Sequence, residues 1–226
     1  MRAYLALVWA VARKDLMVEF RTRERLTAMG AFAVLVGLLF NFSMDTAVVR
    51  PQDIAGALIW MTIIFGGLLG MGRTFRLEEE DGALTGILQS PIPLDALYLG
   101  KVLGNFVLLS VMTVLVFLVF GLFFDLRFSG SSVTLVAVVA LGVLGFVSLT
   151  TLFSAMATRS SMGESLLPVL VFPLLVPVVV YGTTATDRLF AGRPVVEVGG
   201  NLRMLAAFAI MFTVAGAWLF RFVIEE

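Results

Sequence analysis

The chain has 226 residues, of which 60% are hydrophobic and 14% charged, with no net charge at pH 7. Soluble domains are about 45–50% apolar and about 25% charged, and a soluble core of this size cannot hide so much apolar surface. We therefore predict an integral membrane protein. The absence of Cys and His excludes a disulfide framework, a thiolate or Ser-His-Asp catalytic site and a His-ligated zinc or haem within the chain.

The first predicted element is a helix over residues 2–23 that does not cross the membrane. Its apolar residues recur every three or four positions and share one face: Leu5, Val8, Trp9, Ala12, Leu16 and Phe20. The charged residues fall mainly elsewhere around the helix: Arg2, Arg13, Lys14, Asp15, Glu19 and Arg21. Such a helix is expected to lie in the headgroup plane as an interfacial elbow. It either anchors the first span or moves with the bundle beside a cytoplasmic partner.

Six charge-free apolar stretches follow, and each is close to the roughly 20 residues needed to cross a bilayer core. They cover residues 26–44, 54–72, 102–124, 133–158, 165–186 and 204–220. We therefore predict an all-α integral membrane protein with six transmembrane helices in a single domain, residues 1–226. The main polar side chains at membrane depth are Asn41, Asn105, Ser148, Thr150, Thr151 and Ser154. No acid or base lies inside a predicted span, which argues against a proton relay.

Orientation follows from the distribution of Lys and Arg between the two sides. Of the 16 Lys and Arg residues in the chain, 11 lie on the side of the two termini. The other side holds Arg50, Arg127, Arg188, Arg193 and Arg203. Both termini are therefore expected in the cytoplasm.

The polar connection between the second and third predicted spans, residues 75–101, reads FRLEEEDGALTGILQSPIPLDALYLGK. Its acids begin a short helical pattern, where they complement the positive end of the helix dipole. A small leucine stripe follows, and two prolines end it because they cannot donate the next backbone hydrogen bond. The residues concerned are Glu78, Glu79, Glu80, Asp81, Gly82, Leu84, Ile87, Leu88, Pro91 and Pro93. The pattern fits either a solvated helix lying on the membrane or a helix that docks into a partner's apolar groove with basic edges.

This connection resembles the signature loop of the cytochrome c maturation protein B (CcmB) family of haem exporter permease subunits. That family shows a phenylalanine, an acid-rich run, D-G-A-L, a leucine-rich turn, S-P or A-P, and Y-L-G-K. The matching residues are Phe75, Glu78 to Asp81, Gly82, Ala83, Leu84, Leu88, Ser90, Pro91, Tyr98, Leu99, Gly100 and Lys101. Residues 93–95 depart from the pattern, which would have a more polar or basic turn there. The length, the six spans and the stretch LPVLVFPLLVP at 167–177 are also similar to the family.

The resemblance implies an exporter-type (ABC-2) permease subunit of an ABC transporter that moves haem, or delivers it to a haem chaperone, in c-type cytochrome biogenesis. It implies a bacterial inner-membrane location and four kinds of partner: a CcmA-type ATPase, a CcmC-type haem-handling membrane protein, a small single-span protein and a CcmE-type chaperone. A second copy of the chain is a further expected partner. The segment 78–91 would be the coupling helix of the ATPase interface.

No G-x-x-x-x-G-K-[ST] motif occurs in the chain. We therefore expect no enzyme activity in this chain, ATP in the partner subunit, and haem as cargo without a cofactor or metal bound here. Two other functions stay open: an ABC-2-type permease for a lipid or other small molecule, and a scaffold that assembles maturation proteins without transport.

The fifth predicted span is unusual because it contains three prolines, Pro168, Pro173 and Pro177. Each removes an intrahelical hydrogen bond and crowds the preceding turn, which predicts a kink or break. The feature is either a static kink, which membrane helices tolerate, or a gating hinge or broken helix beside a cavity.

Overall fold

The computed structural model describes residues 2–45, 50–71, 74–75, 86, 92–124, 126, 131–158 and 163–225. The helices assigned within these residues are α1 (Arg2–Thr22), α2 (Glu24–Ser43), α3 (Pro51–Met71), α4 (Leu94–Phe124), α5 (Ser132–Thr158), α6 (Gly163–Phe190), a 3-10 helix (Val195–Val198) and α7 (Gly199–Glu225). Six helical segments, in α2 to α7, are long and apolar enough to cross a membrane. The predicted all-α fold with six spans is confirmed.

The centre of the bundle is packed around Trp60 of α3, which is almost completely buried. Its indole ring lies against Gly142 of α5 and Gly182 of α6, where an added Cβ would overlap the ring. The indole N–H donates a hydrogen bond of 2.9 Å to Thr186 Oγ1. Small residues and interhelical hydrogen bonds are the usual means of joining helices in a bilayer, since lipid offers no hydrophobic drive for helices to associate.

The largest extensions beyond the charge-free stretches that predicted the spans are in α4 and α7. α4 begins at Leu94, so residues 94–101 form its first two turns, whereas the sequence placed them in the connecting loop. α7 covers Gly199–Glu225, where only residues 204–220 were predicted. The predicted ends were wrong because they stopped at charged residues. A helix continues past a charge that is paired inside the protein, as at Lys101, or that reaches water near a helix end, as at Arg221.

α1 packs against the first turns of α4 through a face of apolar and acidic residues. Val8 and Ala12 are buried there, whereas Leu5, Trp9 and Phe20 are about half exposed. The predicted apolar face is therefore divided into a side that contacts α4 and a side that is open to the surroundings. The expectation that Asp15 and Glu19 lie away from the packed face was wrong, because both carboxylates have basic partners inside the bundle: Lys101 for Asp15 and Arg25 for Glu19.

The chain turns sharply between α1 and α2. Arg23 adopts a left-handed conformation (φ 56°, ψ 13°), which non-glycine residues seldom do. Its N–H donates to the Glu19 carbonyl at 2.6 Å. This single residue ends α1 and starts α2 at Glu24.

Candidate functional site

Of the predicted coupling helix, residues 78–91, the structure describes Gly86 alone. All of its predicted interface residues lie outside the described residues: Glu78, Glu79, Glu80, Asp81, Gly82, Leu84, Ile87, Leu88 and Pro91. Its assignment therefore stays a prediction. The structure does describe the residues that flank the segment, with Thr74 and Phe75 before it and α4 after it. These flanks lie in a buried polar site at one end of the bundle.

The first part of this site is an ion pair between α1 and α4. Lys101 is 2% exposed, and its Nζ lies 3.0 Å from Asp15 Oδ2. The more exposed Lys14 approaches the other oxygen of the same carboxylate at 3.1 Å. Lys101 Nζ also donates to the Thr74 carbonyl at 3.4 Å and lies 5.1 Å from the centre of the Phe75 ring. A buried ammonium is stable only with such partners.

The second part joins α1 to the start of α2. Glu19, only 3% exposed, accepts from Arg25 Nε at 2.7 Å. Its other oxygen accepts the Leu26 backbone N–H at 3.0 Å. The carboxylate thus satisfies an N–H in the first turn of α2 and complements the positive end of that helix dipole. Arg25 Nη1 donates to Asn105 Oδ1 at 3.3 Å, which connects this pair to α4.

Asn105 completes the site by joining α4 to two further elements. Its Nδ2 donates to Thr74 Oγ1, after α3, and to Thr151 Oγ1 of α5, both at 3.2 Å. The Thr74 hydroxyl donates to the Met71 carbonyl at 2.8 Å. We call Asp15, Glu19, Arg25, Lys101 and Asn105 the charge cluster. Its two acids and two bases balance, and it connects α1, α2, α4 and α5 with the turn after α3.

The Tyr98–Lys101 segment of α4 packs against α1, α5 and α7. The Tyr98 hydroxyl, on α4, is within hydrogen-bond distance of the Ser148 carbonyl of α5 (2.8 Å) and the Phe212 carbonyl of α7 (3.3 Å). On the other side, a Cβ at Gly100 would lie 2.6 Å from Val11 Cβ, so the glycine permits the close approach of α1. From the sequence, this segment was predicted to belong to the loop of residues 75–101. The spacing of Leu94, Leu97, Tyr98 and Lys101, continuous with the span that follows, was the signal for a helix.

A second polar contact ties α1 to α4 nearer the chain terminus. The Tyr4 hydroxyl donates to Asp95 Oδ2 at 2.7 Å. Burial, together with the hydrogen bond and negative charge of Asp95, raises the pKa of Tyr4 to about 12. The phenol therefore remains a donor throughout the neutral range, and α1 is fastened to α4 at both Tyr4 and Asp15.

The three prolines of the predicted hinge all lie within α6, which is helical from Gly163 to Phe190. The structure therefore has a continuous helix here, and the alternative of a broken helix was wrong. Pro173 and Pro177 are exposed, whereas Val171, Leu175 and Val178 of the same helix are buried. The prolines thus lie mainly on the outer side of α6. Their role as a hinge stays a prediction.

Six apolar helices, with a seventh fastened to them by buried charges, define a multi-pass helical membrane protein of the permease type. The model of a family described as CcmB protein matches residues 6–223, so the chain belongs to the CcmB family.

Three similar proteins carry the name heme exporter protein B. The relative from Bradyrhizobium diazoefficiens is 24% identical over 208 residues, which is 92% of each chain. That from Escherichia coli K12 is 28% identical over 89% of this chain and 90% of its own. That from Paracoccus denitrificans is 29% identical over 81% and 84%.

Proposed function

We propose that this chain is the permease subunit of an ABC transporter complex that exports haem, or delivers it to a haem chaperone, during c-type cytochrome biogenesis. The observation that carries the proposal is the CcmB family match over residues 6–223. The names of the relatives support haem export as the process, and six apolar helices support a part within the membrane. Haem is cargo in this proposal.

The energy comes from a separate ATPase subunit, because the chain has no phosphate-binding loop of the Walker A type. Segment 78–91 docks on that subunit as the coupling helix. The residues on either side of this segment support the assignment, since Thr74 and Lys101 both belong to the network around the charge cluster. Motion of the segment is therefore passed to α1, α4 and α5 together.

The complex lies in the bacterial inner membrane, with both termini of the chain in the cytoplasm. The excess of Lys and Arg on the side of the termini supports this orientation. A CcmA-type ATPase, a CcmC-type membrane protein, a small single-span protein and a CcmE-type chaperone complete the proposed complex, with a second copy of the chain as a further partner.

The test is purification of the tagged chain in mild detergent, with identification of the proteins that accompany it by mass spectrometry. An unrelated six-span protein with the same tag is the control. Recovery of a P-loop ATPase together with a haem-binding membrane protein supports the proposal. Recovery of an ATPase without haem-binding proteins would favour a permease for a lipid or other small molecule. Recovery of the chain without an ATPase would overturn the proposal and favour a scaffold.

A further inference from the structure

A groove of about 800 Å³ lies between the start of α4 and the last turns of α7, at the same end of the bundle as α1. Leu99, Val214 and Ala217 give it an apolar floor, while Asp95 and Arg221 supply its charges. Trp218 is 61% exposed and also lines the groove. Trp side chains favour the boundary between headgroups and acyl chains, so we expect the groove to lie at the depth of lipid headgroups.

Asp95 and Arg221, the two charged residues of the groove, are both exposed. Within the described part of the chain, neither Asp95 nor Arg221 forms an ion pair. Asp95 accepts the Tyr4 hydroxyl on one oxygen, which fixes the orientation of its carboxylate. Arg221 stacks on Phe222, with its guanidinium carbon 4.4 Å from the ring centre. An oriented anion and a cation, both exposed, thus line one groove.

We propose that this groove binds a phospholipid whose headgroup carries both a phosphate and a primary ammonium, namely phosphatidylethanolamine. The ammonium donates to the Asp95 carboxylate, and the phosphate accepts from the Arg221 guanidinium, a group suited to paired hydrogen bonds with phosphate. An acyl chain covers the apolar floor. Phosphatidylglycerol offers no cation to Asp95, and the quaternary ammonium of phosphatidylcholine cannot donate a hydrogen bond. The charges of the groove therefore favour phosphatidylethanolamine over phosphatidylglycerol and phosphatidylcholine.

The test is native mass spectrometry of the delipidated chain titrated with phosphatidylethanolamine and phosphatidylglycerol of identical acyl chains. We expect the parent to prefer phosphatidylethanolamine by about tenfold, the size of one charge-assisted hydrogen bond. Asp95→Asn should abolish this preference, and Arg221→Gln should weaken the binding of both lipids by about tenfold. The matched controls are Asp53→Asn and Arg203→Gln, exposed residues at the opposite end of the bundle, which should behave as the parent. Circular dichroism establishes that each variant is folded.

Equal binding of the two lipids by the parent would overturn the proposal. A preference for phosphatidylethanolamine that survives both Asp95→Asn and Arg221→Gln would also overturn the proposal. The occupant of the groove would then be residues 87–91 of the chain or a helix of another protein. The chain is measured alone, so the result is independent of whether the complex exports haem.

Discussion

The Lys101 ammonium lies 3.0 Å from the Asp15 carboxylate, and the pair joins the longest span of the protein to a helix outside the six spans. Lys101 is on the second turn of α4, and Asp15 is near the middle of α1. Because Lys101 is almost completely buried, neither helix can leave the other without exposing a charge to an apolar environment. α1 is therefore a fixed part of the bundle.

We expect Lys101→Met to destabilise the chain by about 3 kcal/mol, because it leaves Asp15 without its buried partner. This corresponds to a fall of about 6–12 °C in the midpoint of thermal unfolding in detergent. The double variant Asp15→Asn/Lys101→Met should recover much of this loss, because it removes both charges. Lys14→Met is the control, since Lys14 is 47% exposed and exposed pairs contribute less than about 1 kcal/mol. A double variant with the summed loss of its two single variants would contradict the pairing.

We expect the double variant Leu84→Glu/Leu88→Glu to release the ATPase subunit while the bundle still inserts. Each Glu would enter an apolar groove of the partner, at a cost of about 2 kcal/mol or more for a central interface residue. Co-purification of the ATPase measures the effect. The control is Val195→Glu/Val196→Glu in the exposed 3-10 helix at the other end of the bundle. Unchanged recovery of the ATPase would remove the coupling-helix assignment.

We expect replacement of all three prolines of α6 by Ala to impair the ATP-driven cycle more than assembly. Ala restores the backbone donors that Pro lacks and so stiffens the helix against bending. Output of matured cytochrome c, normalised to the amount of assembled complex, measures the effect. Pro194→Ala, just outside α6, is the control. Output equal to that of the parent would leave a static kink as the explanation.

We expect the Tyr4 hydroxyl to ionise at a pKa of about 12, raised from the usual 10.0. Because the folded-state pKa lies above the unfolded value, the hydrogen bond to Asp95 contributes its full stability below pH 10 and loses it as the pH rises through 12. The ultraviolet difference between the parent and Tyr4→Phe during alkaline titration follows this single residue. Asp95→Asn should lower the pKa of Tyr4, because it removes the neighbouring negative charge. A Tyr4 that titrates near 10.0 in the parent would exclude the contact.

The lack of native Cys allows a direct test of orientation. We expect Val196→Cys to react with a membrane-impermeant maleimide in intact spheroplasts, because Val196 is 90% exposed at the end of the bundle opposite α1. Ala3→Cys should react only after the membrane is opened. The reverse pattern would place both termini outside the cytoplasm.

The helical spans could be predicted from the sequence because apolar length is a local property. About 20 apolar residues form a helix in a bilayer whatever their neighbours are, since every backbone polar group must be satisfied within the segment. The same local reasoning gave the wrong start for α4, because Lys101 was taken as the end of a loop.

The buried position of Lys101 could not be read from its neighbours in the sequence. Asp15, Thr74 and Phe75 are distant along the chain and meet it only when α1 and the turn after α3 pack on α4. The sequence by itself therefore determined the number of spans, the fold class and the signature loop that resembles the CcmB family. Only the tertiary structure decided which charges are buried, because the stability of a buried charge depends on the partner that packing brings to it.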